Sequence, residues 1–476
     1  MLGQQLSTEN IFRWYQKNIR PWNQYIVTVI VLMLSAFLAY MGSTTVFAGI
    51  VGLFVAVVGA AYLFMNLQYG LMILILVTYF LSFSIATGTN TGINATILMI
   101  LGLTVLWFAD MFFVKKKIRL ADSPTFKPLL LMVVVSILAF INGFLPWFAT
   151  VTQLSITAQI GGLMLFILSA AAFIVSVHLI PNVTWLKRLV WVFIAIGGIF
   201  VLTRFTPQLM RLGNRTFAYG STTASLFWLW IVVLSASQAF FNKKLPRLAR
   251  LALLGVLALT LYHSVIVAYD WKSGWLPALA ALAVIIWLGA PKLRPLILPA
   301  AALVILLNFV NIPGLVTGDE NYSVLTRVEA WRILLEIIKV NPFLGLGPSN
   351  YYWYTPLFPI LGYSVSFNSH NNFIDIVAQI GIFGLFFFLW FFWELTKTGF
   401  RLLKTAPEGF EHAYVIGAIA GIAGTLVSAF LGDWVIPFVY NVGFVGFRSS
   451  VFGWIFLGGL VALELFQKQS TAVETT

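Results

Sequence analysis

His370 stands in the run Ser369-His370-Asn371-Asn372 and is the one of the chain's four histidines set among polar neighbours ahead of a long apolar stretch. An unperturbed imidazole titrates near pH 6.5, so its neutral form is available to take a hydroxyl proton as a general base. Serine and asparagine are also preferred helix caps, and a plain cap cluster is the competing reading of the same four residues. Asp375, one turn after Asn371, is an alternative base or a group that orients one, although it does not share a helical face with His370. The second chemistry is anion binding. Arg327, in Arg327-Val328-Glu329-Ala330-Trp331, and Arg211 and Arg215, in Arg211-Leu212-Gly213-Asn214-Arg215-Thr216-Phe217, carry guanidinium forks. Such forks bind phosphate oxygens in pairs and stay charged at any relevant pH.

These groups must be positioned by membrane helices. The chain has 476 residues, of which 60% are hydrophobic and 9% charged, and its mean hydropathy is +0.95. That composition describes an all-α, polytopic transmembrane bundle and excludes one or two soluble domains. Apolar runs of spanning length start near Gln24, Thr45, Gly70, Asn94, Lys127, Ile156, Leu189, Thr222, Leu251, Gly274, Pro295, Asn371, His412 and Ser449. Several are short or interrupted by glycine, so about 12–14 spans are expected. The first 22 residues, with Phe12, Trp14, Tyr15 and three basic residues, read as an interfacial lead-in and not a cleaved signal. Without cysteine there are no disulfides and no thiolate metal sites. The expected organisation is a bundle over 1–310, one large external loop over 311–370 containing an amphipathic helix, C-terminal spans over 371–468 and a tail over 469–476.

Cytoplasmic loops retain lysine and arginine. With both termini inside, 20 of the 28 basic residues fall on the inner side and eight outside: Arg204, Arg211, Arg215, Lys272, Arg327, Arg332, Lys339 and Arg448. The net charge of +13 is therefore mostly topology, and nucleic acid is not an expected partner. The loop 311–370 then faces outward.

Helical phase separates the cations in that loop. Val324, Val328, Trp331, Leu334, Leu335 and Ile338 fall on one arc and Arg327 falls inside it, whereas Glu329, Arg332, Glu336 and Lys339 lie on a flank, with Arg332 and Glu336 spaced as a solvated i,i+4 pair. Arg327 thus faces the bundle, where a guanidinium needs an anionic partner, either a protein carboxylate such as Asp433 or a ligand phosphate. Tyr351, Tyr352, Trp353 and Tyr354 are candidates for stacking on sugars, against the alternative of an interfacial aromatic belt. Gly345-Leu346-Gly347 is too short for a phosphate loop and reads as a tight turn. His178 and His412 fall near the inner face, and His263 lies in an apolar stretch where a structural role is expected.

The pattern Arg327-Val328-Glu329-Ala330-Trp331, then Asn341-Pro342-Phe343-Leu344-Gly345-Leu346-Gly347, then His370-Asn371-Asn372-Phe373 with Gly381 and Gly384 after it, resembles the O-antigen ligase and polymerase superfamily. The similarity covers Arg327 to about Gly384, with a weaker echo over Arg211–Phe217. It implies a metal-independent, cofactor-free, inverting glycosyltransferase in the inner membrane of a bacterial cell. The donor is a glycan on undecaprenyl pyrophosphate and the acceptor a glycolipid or a second lipid-linked glycan, a ligase being favoured over a polymerase. The resemblance also implies that Arg327 and either Arg215 or Arg211 hold the pyrophosphate while His370 activates the acceptor hydroxyl. Asn371, Asp375, Asp433 and Arg448 are supporting candidates. The outer carboxylates Asp319, Glu320, Glu329, Glu336 and Asp433 have no metal-ligand spacing. The competing class is a transporter or flippase for an anion or lipid-linked sugar. It is disfavoured because the cations sit at span ends and not near the bilayer midplane.

Overall fold

Helix starts are written plainly in the sequence. Asn94, Ser155, Asn182, Thr206 and Asn371 each accept a backbone N–H from the first turn of the helix that follows, a cap worth about 1 kcal/mol each. The helices after Asn94, Ser155 and Asn182 are apolar on every side, as expected of segments that face either lipid or other helices, whereas Pro207–Thr216 after Thr206 is short, polar and amphipathic. The computed structural model describes residues 58–87, 92–151, 155–309 and 319–474, with side chains described outside 304–325 and 470–474. Leu67–Thr476 forms one compact unit, to which everything below refers.

Among the described residues, eight helices are long and apolar enough to cross a membrane, or nine if one bent pair is a single span. The expected spans beginning near Gly70, Lys127, Thr222 and Pro295 are shorter helices, Gly70–Phe80, Phe126–Asn142, Ser225–Phe241 and Ile297–Phe309. Those expected near Gln24 and Thr45 start outside the described residues. The only described strands, Ser84–Ile85 and Ile93–Asn94, pair antiparallel in a two-residue ribbon. The protein is an all-α, multi-pass membrane protein. Gly443–Glu474 runs through its centre, packed on Ile156–Leu179, Ser225–Phe241 and Phe410–Leu431.

The two ends of the bundle differ in charge. At one end lie Lys115–Arg119, Lys187, Arg188, Lys243, Lys244, Arg401 and Lys404, where Lys243 meets Glu408 at 2.6 Å and Arg401 meets the buried Glu464 at 2.6 Å. The other end carries His370, Arg327 and a small second core of Ala330, Ile333, Leu334, Ile337, Leu346, Tyr351, Tyr354, Ala378 and Phe438. His178 and His412 belong to the first end. His178 is occupied by Ala121 N and Ile174 O, and His263 stacks on Trp228 with centroids 4.9 Å apart.

One helix is broken near the site. Asn372–Thr405 contains Gly381 at φ +72°, and the break removes the two helical bonds that Ile382 N and Phe383 N would have made to Ala378 O and Gln379 O. The Asn341–Gly347 loop replaces them. Ile382 N donates to Pro342 O at 2.8 Å and Phe383 N to Phe343 O at 3.5 Å, while Leu346 N donates to Ala378 O at 2.9 Å and Gly347 N to Gln379 O at 3.0 Å. Without the loop two donors and two acceptors of the backbone would go unpaired, and each such group shielded from water costs roughly 1–3 kcal/mol, so loop and break require one another. The glycines therefore do more than make a tight turn: they let two backbones touch. A Cβ on Gly345, itself at φ +69°, would sit 2.6 Å from the Gln379 carbonyl carbon, and one on Gly381 would overlap the Phe343 carbonyl oxygen. Gly381→Ala is accordingly expected to cost at least ~2 kcal/mol from backbone strain alone, read as a lowered thermal midpoint in detergent. An unchanged midpoint would mean the break is not stitched this way.

Candidate active site

The helix Asp319–Ile338 lies on the small core through Ala330, Ile333, Leu334, Ile337 and Ile338. Its buried arc is rotated from the expected one. Val328 and Leu335 are each 54% exposed, because the helix packs against the start of Asn372–Thr405 and the Tyr351–Tyr354 turn at once, which shifts the contact line toward Ala330 and Ile337. Arg327 stays within that arc and is half-buried. The exposed charges pair differently from the expected i,i+4 pattern. Arg332 grips Glu329 with two bonds of 3.0 and 2.7 Å, and Glu336 is taken by Lys339 at 2.7 Å. Such exposed pairs add little to stability, because solvent screens them.

Arg327 and Trp331 are one helical turn apart and so share a face. The Trp331 indole N–H donates to Ser369 O at 2.7 Å, tying the arginine's own helix to the residue before His370. The Arg327 guanidinium makes a single long bond, Nη1 to Leu431 O at 3.4 Å, and has no carboxylate within 4 Å among the described residues. Burial lowers its pKa and the nearby Asp433 raises it. Most of its five donors remain available for a planar anion.

His370 adopts φ +49°, a left-handed conformation uncommon for a residue with a side chain. The turn is held from both sides. Ser369 Oγ accepts Asn371 N at 2.9 Å, and its hydroxyl proton lies between Asp375 Oδ1 at 2.7 Å and Asn371 O at 2.8 Å. Tyr351 donates its hydroxyl to the same Asp375 oxygen; burial, and then Asp375, push that phenol well above its ordinary pKa. Asp375 is 1% exposed, so it is placed to anchor the turn beneath His370 and not to meet a substrate. Asn371 is the helix cap, accepting Phe373 N and Ile374 N. Asn372 clamps the opposite loop, accepting Val435 N at 3.0 Å and donating to Ile436 O at 2.6 Å.

That opposite loop, 432–442, brings the carboxylate. Asp433 is fully buried. It does not bond Arg327, as the sequence allowed, but faces His370: Asp433 Oδ1 is 4.0 Å from His370 Nδ1. Phe438 N donates to its Oδ2 at 3.0 Å and Asn441 Nδ2 to its Oδ1 at 2.7 Å. The same Asn441 amide lies 3.3 Å from His370 Nδ1. An amide nitrogen only donates, so this contact suits an unprotonated Nδ1. An Nδ1–H would exchange Asn441 for Asp433, which a shift of about 1 Å brings within hydrogen-bond reach, and Nε2 is then the nitrogen free to take a proton. Burial lowers the pKa of His370, Asp433 raises it, and Arg327 lowers it again. Burial raises that of Asp433, against His370 and the Phe438 and Asn441 donors. A neutral imidazole beside a carboxylate that stabilises its protonated form, with a cation nearby, can remove a proton and bind an anion in one place.

The remaining candidates are placed elsewhere. Arg211 and Arg215 are exposed on the helix Pro207–Thr216, one turn apart, with no hydrogen bond or ion pair among the described residues and no contact with Arg327 or His370. Their loop reaches the same end of the bundle, since Ala218 N bonds Tyr79 O at 2.6 Å and Gly220 packs on the backbone of Val445. Arg204 in that loop is engaged, stacked over Phe200 at 4.2 Å and bonded to Asn214 at 2.9 Å. Arg448 is 3% exposed and donates to Leu81 O at 2.9 Å and Phe83 O at 3.2 Å. It caps the C-terminal end of Gly70–Phe80, where the helix dipole favours a cation. Asn441 and the structural use of Tyr351 were missed by sequence reasoning. Nothing in the local pattern marks Asn441, 71 residues from its histidine.

Residues 248–389 match the sequence profile of the family described as O-Antigen ligase. The matched segment contains Arg327, the Asn341–Gly347 loop, His370 and the Gly381 break, and leaves Arg211, Arg215, Asp433, Asn441 and Arg448 outside it. No curated protein matches the chain.

Proposed function

We propose that this multi-pass membrane protein, whose residues 248–389 form an O-antigen ligase domain, is an inverting glycosyltransferase that moves a glycan from undecaprenyl pyrophosphate to an acceptor hydroxyl. The observation that carries this reading is the joining, through Trp331 and Ser369, of an under-bonded Arg327 to a His370 backed by Asp433. His370 takes the acceptor's proton as its oxygen attacks the anomeric carbon from the face opposite the leaving group. The carbon–oxygen bond to phosphate breaks, and undecaprenyl pyrophosphate departs with the bonding pair. Negative charge grows on that group, so a fixed guanidinium stabilises the transition state more than the ground state. Arg327, with Arg215 or Arg211 brought in by the donor, supplies the charge a metal would otherwise provide, and the reaction is metal-independent.

The basic residues gathered at the far end of the bundle support a cytoplasmic assignment for that end, which puts His370 on the outer face of a bacterial plasma membrane and makes 311–370 the external domain. Ligase and polymerase differ only in the acceptor, and a ligase is the reading carried forward. The test is the purified chain in nanodiscs with lipid-linked glycan and an acceptor-bearing membrane fraction, with a chelator present. Product with inverted linkage is expected. Movement of anion or lipid-linked sugar across the bilayer with no transfer would replace this reading with transport.

A further inference from the structure

We infer that Trp353, Tyr352 and Tyr440 form a stacking shelf for pyranose rings of the acceptor glycan, beside His370. This rests on the transferase reading and adds to it where the acceptor lies. The four aromatic residues 351–354 divide into two classes. Tyr351 and Tyr354 are buried at 0% and 2% exposure; Tyr351 serves Asp375 and Tyr354 packs on Phe148 at 4.7 Å. Trp353 remains 38% exposed, and Tyr352 and Tyr440 are half-buried.

These three are fixed relative to one another. Tyr352 and Tyr440 stack at 4.4 Å with 11° between their planes. Trp353 stands edge-on to Tyr440 at 5.7 Å and 85°, and its indole N–H donates to the Tyr440 hydroxyl at 2.7 Å. An interfacial belt uses aromatic side chains whose polar atoms reach individually toward headgroups. Here the Trp353 and Tyr440 polar atoms bond each other, which orients those two rings, and Trp353 stays partly exposed. Electron-rich ring faces attract the weakly positive C–H edges that a pyranose presents.

Position gives the shelf its role. Tyr440 directly precedes Asn441, whose amide lies against His370 Nδ1 and Asp433. Arg327 reaches the other end of the same loop, at Leu431, two residues before Asp433. The loop folds back on itself through the bonds of Asn441 and Phe438 to Asp433, which gathers the carboxylate, the imidazole and the residue after Tyr440 in one place. With the donor phosphate held by Arg327, a sugar stacked on rings next to Asn441 has its terminal hydroxyl beside His370.

The experiment has two arms on the full chain in nanodiscs. In the first, transfer is measured with the source cells' lipid-linked glycan as donor and their membrane extract as acceptor. Trp353→Ala is expected to lower acceptor kcat/KM about tenfold, mainly through KM, with donor KM unmoved, while Trp353→Phe keeps most of the acceptor affinity. Equal acceptor KM in Trp353→Ala and wild type overturns the shelf and leaves the transferase intact. In the second arm, envelope oligosaccharide freed of lipid by mild acid is titrated against His370→Ala, with and without Trp353→Ala, and binding is read by NMR line broadening. Loss of binding with Trp353→Ala supports the shelf, and undiminished binding overturns it. Wild type that binds the oligosaccharide through Trp353 but forms no product defeats the transferase reading alone.

Discussion

His370→Ala is expected to lower glycan transfer by about 10²–10⁴-fold, the usual contribution of a positioned general base, while the affinity for lipid-linked donor stays near wild type. The argument is geometric before it is electrostatic. The imidazole is held in a left-handed turn by Ser369, Asp375 and Tyr351 and touches neither the anion-binding arginine nor the core. Alanine at 370 also relieves little packing, so a melt close to wild type separates lost chemistry from lost fold. Retained turnover would remove His370 from the reaction. The pH profile gives a second measurement on the same residue. Only the neutral imidazole accepts a proton, and the folded pKa lies below 6.5, so activity should rise with pH through a midpoint under that value and level off above it. Asp433 raises the His370 pKa and Arg327 lowers it. Asp433→Asn should therefore move the acidic limb to lower pH and Arg327→Ala to higher pH. Shifts of the opposite sign would mean that these groups do not face the titrating nitrogen.

Arg327→Lys is expected to cost about 10²–10³-fold in kcat, the scale for removing one donor aimed at developing negative charge. Lysine keeps the charge and loses the fork. The bond to Leu431 O is long, so little in the resting protein depends on the guanidinium, and the folded state should survive the change. Transfer kinetics with varied donor decide the point. A fall in kcat with donor KM nearly constant fits a group that acts on the leaving pyrophosphate. Near-normal turnover would take Arg327 out of the site, and a rise in donor KM alone would make it a binding residue.

Composition and apolar run length were enough for the all-α membrane class, because hydrocarbon thickness leaves little choice of element. Within the polar segment, the 3.6-residue period separated Arg327 from Arg332 and Lys339, and the structure keeps that separation although the arc is rotated. The error over Val328 and Leu335 arose because hydropathy tells which residues are apolar and not how many neighbours a helix has. Pairing across distant loops was not legible at all. Asp433 was named as a possible partner of Arg327, yet it faces His370, 63 residues away, and Asn441 carried no signal. Gly345 and Gly381 were visible as glycines, but only the docking of one backbone on another explains why both lack a Cβ.

The Gly381 break has a mechanical consequence. The turn carrying His370, the first turns of Asn372–Thr405, the Asn341–Gly347 loop and the helix bearing Arg327 are bonded to one another. The loop also holds the first residues of the rod after Gly381, which continues through the membrane toward Arg401 and Glu464. Base and arginine therefore ride on one cartridge seated on a membrane stem, and tilting the stem carries both together without altering the gap between them. Changes in bilayer thickness should then alter how the cartridge meets its lipid substrate and leave the spacing of the reacting groups unchanged.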